Sequence, residues 1–120
     1  MTAKEHLELY ARIKGIPKYM IKQMVADLID EMDLTEFANI RAGVYSGGNK
    51  RKLSVAIACI GNPPVVFLDE PSAGLDPDAR RKMWKVINAI KQKKTSLIFT
   101  THYIDEAELL CDRVGIMVAG

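Results

Sequence analysis

Apolar positions recur at helical spacing in the first half of the chain and form short continuous runs in the second. Thr2 and Glu5 fit the S/T-x-x-E capping box, in which each side chain satisfies a free N–H at a helix start. A helix from there is predicted to stop near Gly15, with Pro17 opening the next. That second helix has the clearest period in the chain. Met20, Ile21, Met24, Val25, Leu28, Ile29 and Met32 recur at i, i+3, i+4 spacing. A Met-rich stripe suits an adaptable binding face or a packed core, and packed core is the favoured reading. Residues 33–45 lack a period and read as a connector with one short helical turn. Ser46-Gly47-Gly48-Asn49 then precedes a helical stretch carrying Leu53, Ala56, Ile57 and Ile60, which Gly61-Asn62-Pro63-Pro64 ends.

The second half changes character. Val65-Val66-Phe67-Leu68 is an unbroken apolar run leading into Asp69-Glu70, as in a parallel-sheet strand buried on both faces. Asp76-Pro77 suit the N-cap and first position of a helix whose face carries Ala79, Met83, Val86, Ile87 and Ile90. Lys91, Lys93 and Lys94 fall at its end, where the helix dipole is negative. Ser96–Thr100 reads as a second strand, Ile104–Cys111 as a short helix and Val114–Val118 as a third strand. This βαβαβ order implies an α/β fold with parallel strands and right-handed crossovers.

Composition narrows the classes. The 120 residues carry 17 Lys+Arg against 15 Asp+Glu, a net charge of +2, with 48% hydrophobic and 27% charged residues. These are globular values, which exclude disordered and collagen-like chains. So small a net charge argues against nucleic acid as a partner. The length allows one domain at most, and equally less than one. Cys59 and Cys111 make no disulfide framework, which favours a reducing compartment. No apolar run approaches the roughly 18 residues of a membrane span, and the first residues carry no signal-peptide h-region. The expectation is a cytosolic chain that reaches a membrane only through a partner or another part of its own polypeptide.

Three places carry candidate chemistry. Asp69 and Glu70 end a buried strand, where ligands bind in open α/β sheets. The first acid suits Mg²⁺ held through water, and the second suits a general base. The plain alternative is a strand entering a polar loop. Ser46-Gly47-Gly48 opens a helix, where free N–H groups and small residues admit an anion, and Lys50, Arg51 and Lys52 add positive charge. The plain alternative is an N-cap turn beside a solvated basic face. His102 follows the second strand after Thr100-Thr101 and suits a hydrogen bond to a phosphate oxygen, or mere exposure.

Taken in order, Tyr45-Ser46-Gly47-Gly48-Asn49, Val65 to Glu70, Ser72-Ala73-Gly74-Leu75-Asp76 and His102 resemble the nucleotide-binding domain of ABC ATPases, over nearly the whole chain. Tyr45 to Ser54, with Asn49 where most such proteins have Gln, is most similar to the A subfamily of ABC transporters, associated with lipid export. Gly61 to Glu70 and Glu5 to Arg12 fit that subfamily as well. The resemblance implies a partial P-loop NTPase of ABC type. Residues 1–60 would be its helical subdomain, with the signature motif at 45–49, and residues 61–120 the Walker-B to H-loop half of the core. It implies ATP and Mg²⁺ as ligands. Ser46, Gly47, Gly48 and Asn49 would contact the γ-phosphate of ATP held by an opposing nucleotide-binding domain. Asp69 would position Mg²⁺, Glu70 would be the general base, Asp76 would end the D-loop, and His102 would sense the γ-phosphate. Transmembrane domains would be the other partner, placing the chain on the cytosolic face of a membrane.

The P-loop pattern G-x-x-x-x-G-K-[ST] does not occur in this sequence; Gly43 to Gly48 runs into Asn49-Lys50 with no strand before it. Neither Gln23 nor Gln92 suits a Q-loop. The chain is therefore expected to be an incomplete domain, unable to hydrolyse ATP alone. The Val65 to Leu68 strand is expected to expose an apolar edge, because its neighbour in the family's sheet is the P-loop strand. Three other readings stand beside this one: a soluble ABC ATPase of repair, chromosome or translation type, a truncated non-catalytic interaction module, and an unrelated α/β binding module.

Overall fold

The capping box forms as the sequence requires. Glu5 N–H donates to Thr2 Oγ1 at 3.2 Å, and Thr2 N–H donates to Glu5 Oε2 at 3.0 Å. Together they start α1, Ala3–Ile13. The structure, a computed structural model, describes residues 1–93 and 95–119; Lys94, expected at a helix end, and Gly120 lie outside the described residues. Gly15, at φ 78°, ends α1 in a left-handed turn that costs a glycine nothing. Pro17 then caps α2, Lys18–Glu31.

Helix α1 buries Ala3, Leu7 and Ala11, one face at four-residue spacing, and packs on α2. Helix α2 buries Ile21, Val25, Leu28 and Ile29. Its Met stripe is core at Met32, half-buried at Met24 and exposed at Met20. The connector forms two short 3₁₀ turns, Thr35–Phe37 and Ala42–Val44, where one was expected. Tyr45 closes it, with its hydroxyl donating to the Phe37 carbonyl and its ring edge-on to Phe37 at 5.9 Å.

Helix α3, Gly47–Cys59, runs from this anchor and buries Leu53, Val55, Ala56 and Cys59. Its carboxyl end carries carbonyls with no helical partner. Lys14 supplies three bonds there, donating to the carbonyls of Ile57, Ala58 and Ile60 at 3.1, 3.3 and 3.0 Å. A cation at a helix C-terminus also offsets the dipole.

Strand β1, Val65–Asp69, pairs in parallel with β2, Ser96–Thr100, in the register Val65↔Ser96 to Asp69↔Thr100. Between them lies α4, Pro77–Lys91, capped as expected by Asp76, whose Oδ1 accepts from Ala79 N–H at 2.8 Å. It buries Met83, Val86, Ile87 and Ile90. Lys91 donates to the Leu110 carbonyl at 2.6 Å, and Lys93 forms an ion pair with Glu31 of α2. Helix α5, Ile104–Leu110, completes the elements. One buried cluster, including Leu7, Val25, Leu53, Val66, Ile87 and Leu110, runs through both halves of the chain.

Two expectations fail. Val66, Leu68, Leu97 and Phe99 face the helices, but β1 is not buried on both faces: Val65, Phe67 and Ile98 are 43, 72 and 55% exposed. The side-chain period of two puts these three on the opposite face, which no described element covers. The third strand is also absent. Residues 114–118 carry no ladder bonds, and Val114, Ile116, Met117 and Val118 are exposed. Apolar residues alone do not make a strand; the backbone must find a partner, and among the described residues it finds none.

One-sided burial fixes an asymmetry that urea unfolding can read. Ile87→Ala, at a fully buried site, is expected to cost about 2–5 kcal/mol. Phe67→Thr is expected to stay within about 0.5 kcal/mol. Burial also pushes the Cys59 thiol above its ordinary value of 9.0, against the opposing pull of Lys93 and Lys14. A raised folded value means this contribution is complete below pH 9.0 and is lost as pH rises through the folded value. Unfolding across the alkaline range should show a shallower loss of stability in Cys59→Ala than in the wild type.

Candidate functional site

Strand β1 delivers Asp69 and Glu70 to the carboxyl end of the sheet, and the β1–β2 register places Thr100 beside them. The Thr100 hydroxyl donates to Asp69 Oδ1 at 2.7 Å and accepts from Glu70 N–H at 2.9 Å. One side chain thus fixes both acids. Glu70 itself has φ 44°, in the left-handed region that costs a non-glycine residue about 1–3 kcal/mol and clusters at functional sites. A turn closes behind it, with Ala73 N–H donating to the Glu70 carbonyl at 3.1 Å. Arg51 of α3 reaches the same turn, donating to the carbonyls of Glu70 at 3.0 Å and Ala73 at 3.2 Å.

His102 follows β2 and faces Glu70, with Nδ1 3.3 Å from Glu70 Oε1. Its ring lies 4.2 Å from that of Tyr103, and the Arg80 guanidinium sits 4.3 Å from the Tyr103 ring centroid. The Glu70 and His102 side chains are 46 and 57% exposed, so this end of the sheet is open to solvent. Asp69, Glu70 and His102, predicted from widely separated positions, are therefore brought together.

Ser46, Gly47, Gly48 and Asn49 form a second place, at the start of α3. Ser46 Oγ accepts from Asn49 N–H at 3.2 Å, leaving its own O–H free to donate. The N–H groups of Gly47 and Gly48 have no intrahelical carbonyl to bond. These four residues line a cleft of about 910 Å³ together with Asp76 at the start of α4. A Cβ at Gly47 would meet nothing within 4 Å, and one at Gly48 would make only ordinary contact with Ala79 at 3.6 Å. Neither glycine has positive φ. Packing within the chain therefore does not require them, and their bare backbone leaves room for close approach of an outside group. Asp69, Glu70 and His102 do not line this cleft, so the two places are separate.

The basic run beside the cleft is not a solvated face. Lys50 is exposed, Arg51 is committed to the Glu70 turn, and Lys52 is buried with its ammonium 3.6 Å from Asp33. Asp30, Asp33, Glu36 and Asp78 also line the cleft and make it acidic. Sequence reasoning set Thr100 beside His102 and Arg51 beside Ser46, but missed that both hold the Asp69-Glu70 turn. The available signal was the register that sets Thr100 opposite Asp69; nothing in the spacing marks Arg51.

Among the described residues, no group of three His, Cys, Asp or Glu side chains converges as a metal cage. Asp69 offers one carboxylate whose Oδ1 is already used. That fits Mg²⁺ of the kind held mostly by water and phosphate oxygens, with one or two protein carboxylates. The open backbone at Gly47 and Gly48 fits a phosphate.

Residues 6–104 match a family model described as "AAA domain, putative AbiEii toxin, Type IV TA system". Over all 120 residues the chain is 50% identical to the retinal-specific phospholipid-transporting ATPase of Homo sapiens, covering 5% of it. It is 51% identical to ABC transporter A family member 2 of Arabidopsis thaliana, covering 12%, and 45% identical to ATP-binding cassette sub-family A member 7 of Mus musculus, covering 6%. The chain thus spans a small part of the length of these relatives. No described helix is long and apolar enough to cross a membrane.

The double role of Thr100 has a direct test. Thr100→Val keeps the shape but removes donor and acceptor together, and should cost about 1 kcal/mol in urea unfolding. Thr100→Ser should retain most of that stability.

Proposed function

Because this chain belongs to the AAA domain family, and its relatives over all 120 residues are ABC transporter A-family proteins, we propose that it is part of a transporter's nucleotide-binding domain. The observation that carries the reading is the convergence of Asp69, Glu70 and His102 at the carboxyl ends of two parallel strands. On this reading residues 1–60 belong to the helical subdomain, with the signature at 45–49. Residues 61–120 belong to the Walker-B to H-loop half of the core. The rest of the ATP site, including the P-loop, comes from elsewhere in the parent polypeptide.

Each residue then has a task its position supports. Glu70 is the general base: its carboxylate takes the proton of the attacking water. His102 lies beside that carboxylate and donates towards the γ-phosphate. Asp69 would hold Mg²⁺ through water, and the ion would supply charge neutralisation to the phosphates. The free N–H groups of Gly47 and Gly48 and the Ser46 hydroxyl donate to the γ-phosphate of an ATP carried by an opposing domain, with Asn49 at the same helix start. Asp76 ends the loop that meets that domain. Two separate places in one chain suit this composite arrangement, because each serves a different ATP. Hydrolysis would drive transmembrane transport of lipid, the cargo class named for the human relative, with the chain on the cytosolic face of the membrane.

A chimera tests the proposal. This chain replaces the matching 120 residues of the human retinal-specific relative, and ATP turnover is measured. Turnover is expected, and Glu70→Gln should lower kcat by about 10²-fold or more while nucleotide binding persists. The isolated 120-residue chain should show no turnover, since its sequence lacks the P-loop Lys and backbone cradle. Mg-dependent turnover by the isolated chain, lost in Glu70→Gln, would overturn the division of labour. A chimera whose turnover ignores Glu70→Gln would overturn the role of Glu70.

A further inference from the structure

A left-handed non-glycine residue needs its surroundings to hold it there. Glu70 is such a residue, and its two backbone groups are held by different elements. Its N–H is taken by Thr100 of β2, and its carbonyl accepts from both Ala73 N–H and Arg51 Nη1. The same guanidinium donates through Nη2 to the Ala73 carbonyl. One planar fork therefore grips both ends of the four-residue turn from Glu70 to Ala73. Arg51 makes no ion pair with any carboxylate among the described residues, so its charge serves neutral carbonyls alone. The grip needs the geometry of Arg, because an ammonium has no rigid fork to span two carbonyls.

Arg51 lies one turn into α3, three residues after Gly48. The helix that presents free N–H groups to the cleft is thus tied directly to the backbone of Glu70. Its far end is tied as well, by Lys14 on three carbonyls. A helix held at both ends keeps the guanidinium in place, and a displacement of its start would pull on the turn.

We propose that Arg51 is a positioning residue for Glu70: it holds the Glu70–Ala73 turn closed, so that the Glu70 carboxylate stays beside His102. This rests on the reading of Glu70 as general base. The test uses the same chimera with Arg51→Ala, Arg51→Lys, Glu70→Gln, the double variant Arg51→Ala/Glu70→Gln, and the exposed Lys85→Ala as control. Arg51→Ala should lower kcat on the order of tenfold to a hundredfold, the scale set by misplacing a reacting group, with KM for ATP within about twofold. Arg51→Lys should fall between it and the wild type, and Lys85→Ala should match the wild type. Hydrogen exchange in the peptide spanning Glu70 to Ala73 should quicken in Arg51→Ala while α1 peptides stay unchanged. In the Glu70→Gln background, Arg51→Ala should lower the residual turnover no further, because its effect passes through Glu70.

A wild-type kcat in Arg51→Ala, with Glu70→Gln still inactive, would overturn this proposal and leave the reading of Glu70 intact. A further fall in the double variant would assign Arg51 a general structural role and overturn it equally. Turnover that ignores Glu70→Gln would overturn both.

Discussion

At the end of β1 the chain must leave the sheet while keeping two adjacent carboxylates turned towards solvent. It does so through one left-handed residue, Glu70, and the rest of the site depends on that turn. Three parts of the sequence, 19 to 30 residues from Glu70 or within its own loop, are needed to hold it: Arg51, Thr100 and Ala73. The sheet register is part of the constraint. Asp69 sits opposite Thr100, so a slip of one residue would send the hydroxyl to the other face of β2 and release both acids at once. The packing of α3 is part of it too, since a guanidinium reaches two carbonyls only if its helix is fixed.

Local rules made much of the fold legible. The Thr2/Glu5 box, the Ser46 cap and the Asp76-Pro77 start each involve residues within a turn of one another, and each formed where the sequence placed it. The apolar face of α4 is equally local and equally clear. What failed was non-local. Val65 to Leu68 are all apolar, which permits burial on two faces but cannot say whether both are covered. Helices cover Val66 and Leu68, while Val65 and Phe67 face away. Val114 to Val118 have strand-like composition, yet a strand is a pairing, and pairing is a property of two segments.

The site divides along the same line. Asp69, Glu70 and His102 were legible because acids and a histidine at strand ends belong to a recognisable order. Arg51 and Lys52 were not, because Lys50-Arg51-Lys52 looks like one patch of charge in the sequence. On a helix, successive residues turn by about 100°. The three cations therefore part company: Lys50 meets water, Arg51 the Glu70 turn and Lys52 the Asp33 carboxylate. Lys52 is the sharpest case. A buried ammonium with one exposed acid 3.6 Å away is a structural pairing that leaves little positive charge for the cleft.

That loss of charge bears on how the cleft can hold an anion. Five acids line it, Asp30, Asp33, Glu36, Asp76 and Asp78, against Lys52 and Lys82, and Lys82 already pairs with Asp78 at 3.4 Å. The charges lining the cleft therefore do not favour drawing a phosphate to Ser46. What remains is short-range: the free N–H groups of the first turn, the Ser46 hydroxyl and the space left by two side-chain-free residues. Such a place suits a phosphate that something else delivers better than one captured from solution. The composite arrangement proposed for this chain asks for that property. On that proposal the opposing domain would supply the phosphate, and the start of α3 would meet it with backbone N–H groups and the Ser46 hydroxyl. Of the basic side chains that the sequence seemed to offer, Arg51 is spent on the chain's own backbone and Lys52 on the Asp33 carboxylate, which leaves Lys50 in water.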